Sequence, residues 1–118
     1  MTDSLLPADE TRRPRRPAGA PRTHPMTLAY RDALADGTDQ GLLTARTAIR
    51  EGVGSLPALW NRVVAWMTPI QDPVLGDGWR CTLHAFSLDG RFVRAQESAF
   101  EPAQAARYAV ERLQKRAE

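Results

Sequence analysis

The chain has 118 residues, with 16 Lys and Arg against 14 Asp and Glu, a net charge of +2. Apolar residues make up 42%, which is too much for a wholly disordered chain, and no apolar run approaches the roughly 20 residues of a membrane-spanning helix. The first residues also lack the basic and apolar pattern of a secretory signal, so we predict a cytoplasmic protein with one folded domain and no membrane contact.

The whole charge excess lies in residues 1–24. This segment holds five arginines and three acids, whereas residues 25–118 hold 11 basic and 11 acidic groups. Within residues 11–22, three prolines, Pro14, Pro17 and Pro21, interrupt helix and strand alike, so we predict a disordered Arg/Pro-rich tail. Such a tail is either a basic arm for a nucleic-acid groove or acidic protein surface, or a leader that aids solubility. The neutral remainder, 25–118, is predicted to be a single small α+β domain.

Helical spacing of apolar residues predicts three helices after the tail. The first covers residues 26–35, with Met26, Tyr30 and Leu34 on one side, and stops at Gly37. The second is capped by Thr38 and ends at Gly52. The third runs from Ser55 to residue 67, and its broad apolar stripe gives the strongest helical period in the chain. Residues 68–78 are rich in Pro and Gly and are predicted to be a connector.

A β-hairpin and a fourth helix complete the predicted domain. Trp79 to Ser87 and Arg91 to Phe100 form two strands around a three-residue loop that ends in Gly90, where positive φ suits a bulged turn. This register places Trp79, Cys81, Leu83 and Ala85 on one face with Val93, Ala95 and Ala99. The last helix follows Glu101 and Pro102, since proline is favoured in a first helical turn.

Three helices before a two-stranded hairpin resemble the element order of a winged-helix domain. Ala48, Gly52 and Val53 match the small, turn and apolar positions of a helix-turn-helix, although Glu51 stands where an apolar residue is usual. The resemblance covers residues 26–98 in element order only, and it implies that helix three enters a nucleic-acid groove. The alternative is an ordinary helical hairpin, in which these residues serve only to pack the hydrophobic core.

The sequence holds few candidate catalytic residues, and we predict a protein without enzymatic activity, cofactor or metal. Cys81 and His84 lie three apart on a strand and therefore point to opposite faces, so they cannot form a local dyad. Cys81 is expected in the core as an inert thiol, and one cysteine with two histidines offers no zinc site. No phosphate-binding glycine loop or nucleophile motif is present.

The outer hairpin face, with Phe86 and Phe92 among basic groups and His84, has the composition of a stacking platform for single-stranded bases. Alternatively, another helix or a dimer partner covers it. The leading hypothesis is a small nucleic-acid-binding regulator, for DNA or RNA, that uses helix three, the wing and the tail. Its predicted contact residues are Arg12, Arg13, Arg15, Arg16, Arg22, Ser55, Asn61, Arg62, Arg80, Arg91 and Arg94.

The competing hypothesis is a protein-interaction adaptor or a self-associating accessory protein. In it, exposed Trp60, Trp66, Phe86 or Phe92 would engage a protein partner or a second copy. The neutral charge of residues 25–118 favours the adaptor, whereas the element order and the basic tail favour the regulator.

Overall fold

The computed structural model describes residues 25–36, 38–74 and 76–118, and these form two helices and four strands. The elements in chain order are β1 (Thr27–Asp32), α1 (Gln40–Gly54), β2 (Trp60–Asp72), β3 (Gly76–Ser87), β4 (Phe92–Ala99) and α2 (Pro102–Arg116).

The four strands form one mixed sheet in the order β1-β2-β3-β4. β1 pairs with β2 in parallel, and α1 supplies the crossover that a parallel connection needs. β2, β3 and β4 follow as an antiparallel meander, in which β2 and β3 are long central strands. Because all neighbours along the meander are adjacent in sequence, the sheet is built from short connections around one β-α-β unit.

Both helices cover the same side of the sheet, and the core lies between the two layers. Its sheet side consists of alternate strand residues: Val63, Ala65, Met67, Cys81, Leu83, Ala85 and Ala95. Its helix side consists of Leu42, Ala45, Ile49 and Val53 from α1, and of Ala105, Ala106, Ala109, Val110 and Leu113 from α2. No described element covers the opposite side of the sheet.

The two helices approach closely at Gly52. A Cβ atom added at Gly52 would lie 2.1 Å from Cγ1 of Val110, so a side chain there would collide with α2. The crossing is fixed by Gln114, whose amide nitrogen donates to the Gly52 carbonyl at 3.1 Å and to the Ser55 hydroxyl at 2.9 Å. Gly52 is therefore needed for helix packing, and it lies inside α1 rather than in a turn between two helices.

The predicted α+β class is confirmed, but the predicted three N-terminal helices and the winged-helix-like order are wrong. The first predicted helix is β1. Leu28 and Tyr30 pack towards the core while Thr27 and Arg31 are exposed, which is the two-residue alternation of a strand. Six residues are too few for this alternation to be distinguished from a helical period by sequence alone.

The third predicted helix is also wrong, and most of the connector after it is strand, because residues 60–72 form β2 and β3 begins at Gly76. β2 begins at Trp60 and continues past Pro69 to Asp72. Val63, Ala65 and Met67 point into the core while Val64 and Trp66 point to the opposite face. A central strand with apolar residues on both faces gives a continuous apolar run, which also satisfies a helical stripe. The two adjacent valines and the two tryptophans favour the strand.

The second and fourth predicted helices correspond to α1 and α2. The predicted two-stranded hairpin is wrong, because β3 and β4, although joined by the expected turn, belong to a four-stranded sheet in which β3 also pairs with β2. α1 is capped by the carboxylate of Asp39, which accepts from the amides of Gly41 at 2.8 Å and Leu42 at 3.2 Å, rather than by Thr38. α2 begins at Pro102 as expected. The tail prediction for residues 1–24 lies outside the described residues. Among the described residues, no helix is long and apolar enough to cross a membrane.

The β3–β4 turn provides a first test of the fold. Gly90 has φ of 87°, and space around it is open, so a side chain there costs backbone strain rather than a clash. We expect Gly90→Val to lower the free energy of unfolding by about 1–2 kcal/mol, with a smaller loss for Gly90→Asn, because asparagine tolerates positive φ. Denaturant unfolding measures both. Equal stability of wild type and Gly90→Val would contradict the turn geometry.

Candidate nucleic-acid interface

The uncovered side of the sheet, here called the open face, is formed by alternate residues of the four strands. Cross-strand pairing arranges them in rows. The first row is Thr27, Arg62, Phe86 and Phe92; the second is Ala29, Val64, His84 and Arg94; the third is Arg31, Trp66, Thr82 and Gln96; the fourth is Thr68, Arg80 and Ser98. Side chains from all four strands thus meet on one continuous surface.

An aromatic cluster of Trp66, His84, Phe86 and Phe92 crosses this surface from β2 to β4. The Trp66 and His84 ring centroids are 4.6 Å apart and edge-to-face, and those of His84 and Phe92 are 5.1 Å apart and edge-to-face. Phe86 and Phe92 are 5.2 Å apart. Contacts of this kind hold the rings in fixed positions. Phe92 nevertheless remains 50% exposed, so its ring is available to a ligand.

Four arginines surround the aromatic cluster, one from each strand: Arg31, Arg62, Arg80 and Arg94. The Arg62 guanidinium lies over the Phe86 ring at 4.8 Å from its centroid. None of the described residues in the four rows is acidic. Beyond the rows, the Asp32 carboxylate accepts from the Thr68 hydroxyl at 3.3 Å, and the alternation of β2 continues to Asp72. The neutral domain therefore carries a one-sided basic and aromatic surface.

Arg94 is held in place by its neighbours on the same face. Its terminal nitrogen donates to the Gln96 side-chain oxygen at 2.6 Å, and the Thr82 hydroxyl donates to that same oxygen at 3.2 Å. Arg116 of α2 donates to the Arg94 backbone carbonyl, which ties this edge strand to the helix layer. The guanidinium consequently lies along β4, over the next row, instead of extending into solvent.

His84 lies at the centre of the open face, between Trp66 and Phe92. Its partial burial, and secondly the positive charge of Arg94, lower its pKa below the ordinary histidine value. The imidazole is therefore neutral at pH 7, and in this form it adds a flat, uncharged ring to the aromatic cluster.

The structure brings together three of the predicted contact residues and separates the others. Arg62, Arg80 and Arg94 share the open face, with Arg62 on a strand rather than on a groove-binding helix. Ser55 lies at the end of α1, and Asn61 lies at the irregularity in β2–β3 pairing. Arg91 is in the hairpin turn, paired with Asp89 at 3.3 Å. Arg12, Arg13, Arg15, Arg16 and Arg22 lie outside the described residues.

Two features of the site were not predicted from the sequence. Arg31 was not named as a contact residue, and Trp66 was not expected on the same face as His84. Both are on strands that were predicted as helices, so their partners across the sheet could not be anticipated. The signal available was the alternation in β2, where Arg62, Val64 and Trp66 differ by two positions and project to one face.

Few side chains in the described part of the chain are suited to catalysis. Cys81 is fully buried in the core, and desolvation raises the pKa of its thiol to about 12. Among the described residues, no group of three or more His, Cys, Asp and Glu side chains could hold a metal ion. The outer face of the hairpin, not the thiol on its inner face, is thus the candidate site.

Burial of Cys81 leads to a labelling prediction. Since the thiolate is the reactive form, a pKa of about 12 leaves almost no nucleophile at pH 8. We expect a thiol reagent to label the native protein slowly and the denatured protein at once. Rapid labelling of the native protein would mean that the two hairpin faces are assigned the wrong way round.

Comparison with known proteins gives no family for this chain. Its sequence matches no protein-family model and no curated protein.

Proposed function

We propose that this protein is a small non-catalytic regulator that binds single-stranded nucleic acid on the open face of its sheet. The observation that carries the proposal is the aromatic cluster, with half-exposed Phe92, enclosed by four arginines on a surface whose described rows hold no acidic residue. The groove-binding role of a third helix is not part of this proposal, because residues 60–72 are a strand.

The two kinds of side chain have complementary tasks. Unpaired bases stack on aromatic rings, and each such stack contributes about 1–3 kcal/mol. Arginines beside the rings contact the phosphates that connect the stacked bases. A duplex keeps its base faces inside, so it can use the arginines but not Phe92 or Trp66. The open face therefore favours single strands over duplexes.

Fluorescence anisotropy with labelled single strands tests this function. We expect the full chain to bind a uridine or thymidine dodecamer more tightly than a duplex of equal length. Phe92→Ala should weaken single-strand binding roughly 5- to 150-fold, the equivalent of one lost stack. Phe92→Tyr should retain most of the affinity because it keeps the ring.

The matched control is Tyr108→Ala, which removes a ring that is 44% exposed on α2, in the opposite layer. This variant should bind like the wild type. Tight binding that is indifferent to Phe92, or no single-strand binding at all, would contradict the proposal.

A protein-interaction adaptor is the second candidate, and one observation favours it. Val74, 89% exposed, lies between the two long strands, and Phe100, 58% exposed, follows β4. A protein partner would remove these apolar side chains from water, which is a favourable contribution to binding. Trp60, however, is buried and is not available to a partner, contrary to expectation. Concentration-dependent self-association that is lost in Val74→Ser/Phe100→Ser, without nucleic-acid binding, would favour the adaptor.

A further inference from the structure

We propose that residues 1–10 of this chain add a strand to the outer edge of β1, with Leu6 in a groove between β1 and α1. The groove lies on the helix side of the sheet, away from the open face, so the proposal does not depend on nucleic-acid binding. Three features support it: the backbone groups of β1, the lining of the groove and the charge of the segment.

The outer edge of β1 can receive an added strand. No described strand pairs with this edge, because β1 is the first strand of the sheet. The amide of Ala33, just after β1, donates to the Met67 carbonyl of β2 at 3.2 Å. Backbone groups alternate in direction along a strand, so Leu28 and Tyr30, at odd distances from Ala33, direct theirs away from β2. The Tyr30 carbonyl accepts there from the Arg31 side chain at 3.4 Å, longer than the usual length of roughly 2.7–3.2 Å.

An apolar groove of about 420 Å³ runs along this edge on the helix side. Met26, Leu28 and Tyr30 line one wall, and Val53 and Gly54 of α1 line the other. A Cβ atom added at Gly54 would meet nothing within 4 Å, so the groove is open at this end. An added strand would remove these apolar side chains from water, which favours docking.

Positive charge beside the groove favours an acidic segment. Arg50 lines the groove, and the guanidinium of Arg46, one turn earlier on α1, lies over the Tyr30 ring at 4.5 Å from its centroid. Residues 1–10 hold three acidic residues and no basic one, whereas residues 11–24 hold five arginines and no acid. The charge of the first ten residues is thus opposite to that of the groove. Pairing of β1 with β1 of a second copy would instead bring these arginines together.

Pro7 determines which leucine enters the groove. Proline has no N–H and is tolerated in an edge strand where its nitrogen faces away from the sheet. The alternate residues, which include Leu6, then direct their backbone groups to β1. Directly opposite residues of an antiparallel pair lie on the same face, so Leu6 opposite Leu28 enters the groove and Leu5 lies on the other side.

This register also pairs opposite charges and fits the length of the chain. With Leu6 opposite Leu28, Asp3 lies opposite Arg31. Residues 11–24 form the loop that joins the end of the added strand to the start of β1, where an antiparallel strand has its last residues. A segment held by a short connection has an effective concentration in the ~millimolar range, so modest contacts are sufficient for docking.

Paramagnetic relaxation locates the segment in the full chain. A nitroxide is attached to Thr2→Cys in the native protein, where Cys81 is buried and reacts slowly. We expect the label to reduce the amide intensities of Tyr30 and Arg50 several-fold, while Glu97 on the opposite edge strand keeps its intensity. Wild type treated with the same reagent is the control. Uniform weak broadening, or broadening centred elsewhere, would overturn the proposal.

Two leucine variants of the full chain test the register. Leu6→Ser should raise the hydrogen-exchange rates of the Leu28 and Tyr30 amides about tenfold, the equivalent of one half-buried leucine. The matched control, Leu5→Ser, should change these rates little. Exchange that is equal in the wild type and Leu6→Ser, or that rises equally in both variants, would overturn the added strand.

Mixed samples identify the copy that supplies the segment. Spin-labelled protein without ¹⁵N is mixed with an equal amount of unlabelled ¹⁵N protein, so that only contacts between two chains reduce the signals. We expect Tyr30 and Arg50 to keep their intensities in this mixture. Broadening of these signals would mean that the segment docks on a second copy, and would overturn docking within one chain.

Discussion

Replacing Trp60 with alanine is expected to lower the free energy of unfolding by about 3–5 kcal/mol, the usual cost of deleting a buried aromatic side chain. Trp60 is only 1% exposed, and its indole N–H donates to the Ala117 carbonyl at 3.0 Å. The residue joins the first position of β2 to the end of α2. Its loss therefore leaves both a cavity and an unsatisfied carbonyl between the sheet and the helix layer.

Denaturant unfolding of matched variants measures this effect. Trp66→Ala removes the same side chain from the open face of the same strand, where it is partly exposed, and should cost clearly less. A loss for Trp60→Ala no larger than that for Trp66→Ala would contradict the assignment of the two faces of β2.

Removing two arginines of the open face is expected to change the salt dependence of binding. Each phosphate contact on a single strand contributes about −0.7 to the slope of log affinity against log salt. Arg62 and Arg80 lie on the two central strands, at opposite ends of the rows, so each can contact a different phosphate. The Arg62→Ala/Arg80→Ala variant should flatten the slope by about 1.4 for two contacts and weaken binding most at low salt.

A charge-matched control decides whether position or charge matters. Arg107→Ala/Lys115→Ala removes two positive charges from α2, in the opposite layer, and should leave the slope within experimental error of the wild type. Residues 1–24 are kept in all samples, so their five arginines contribute equally to each measurement. Equal slopes for the two double variants would mean that binding is general charge attraction.

The parts of the fold that sequence predicts are those whose pattern allows one interpretation. Strict alternation from Trp79 to Ala85, followed by Asp89 and Gly90, fixes the hairpin and the register of its faces. Ala106 to Leu113 gives a helical stripe after a proline start. β2 was not predictable in this way, because apolar residues such as Val63, Val64, Ala65, Trp66 and Met67 stand on both of its faces in one continuous run. β1 is short and is stabilised by pairing with β2. It could therefore not be predicted while β2 itself was interpreted as a helix.

The site was predictable to the extent that the hairpin was. His84, Phe86, Phe92, Arg80 and Arg94 were expected on one face, and they lie there. Arg62 was predicted on a helix, yet it reaches the same face from β2. Residues whose roles depended on the helix-turn-helix, such as Ser55 and Asn61, lie away from this surface. Alternation within a strand is local, whereas the neighbours of a strand are determined by the complete fold.

Chemical-shift mapping with a short single strand tests the central claim most directly. Adding a uridine octamer to ¹⁵N-labelled full-length protein should shift the Trp66 indole signal and the amides of His84, Phe92 and Arg94. Signals from the outward side of α2, such as Arg107 and Glu111, should stay in place. Shifts concentrated on α2, or an unchanged spectrum at saturating octamer, would contradict binding on the open face.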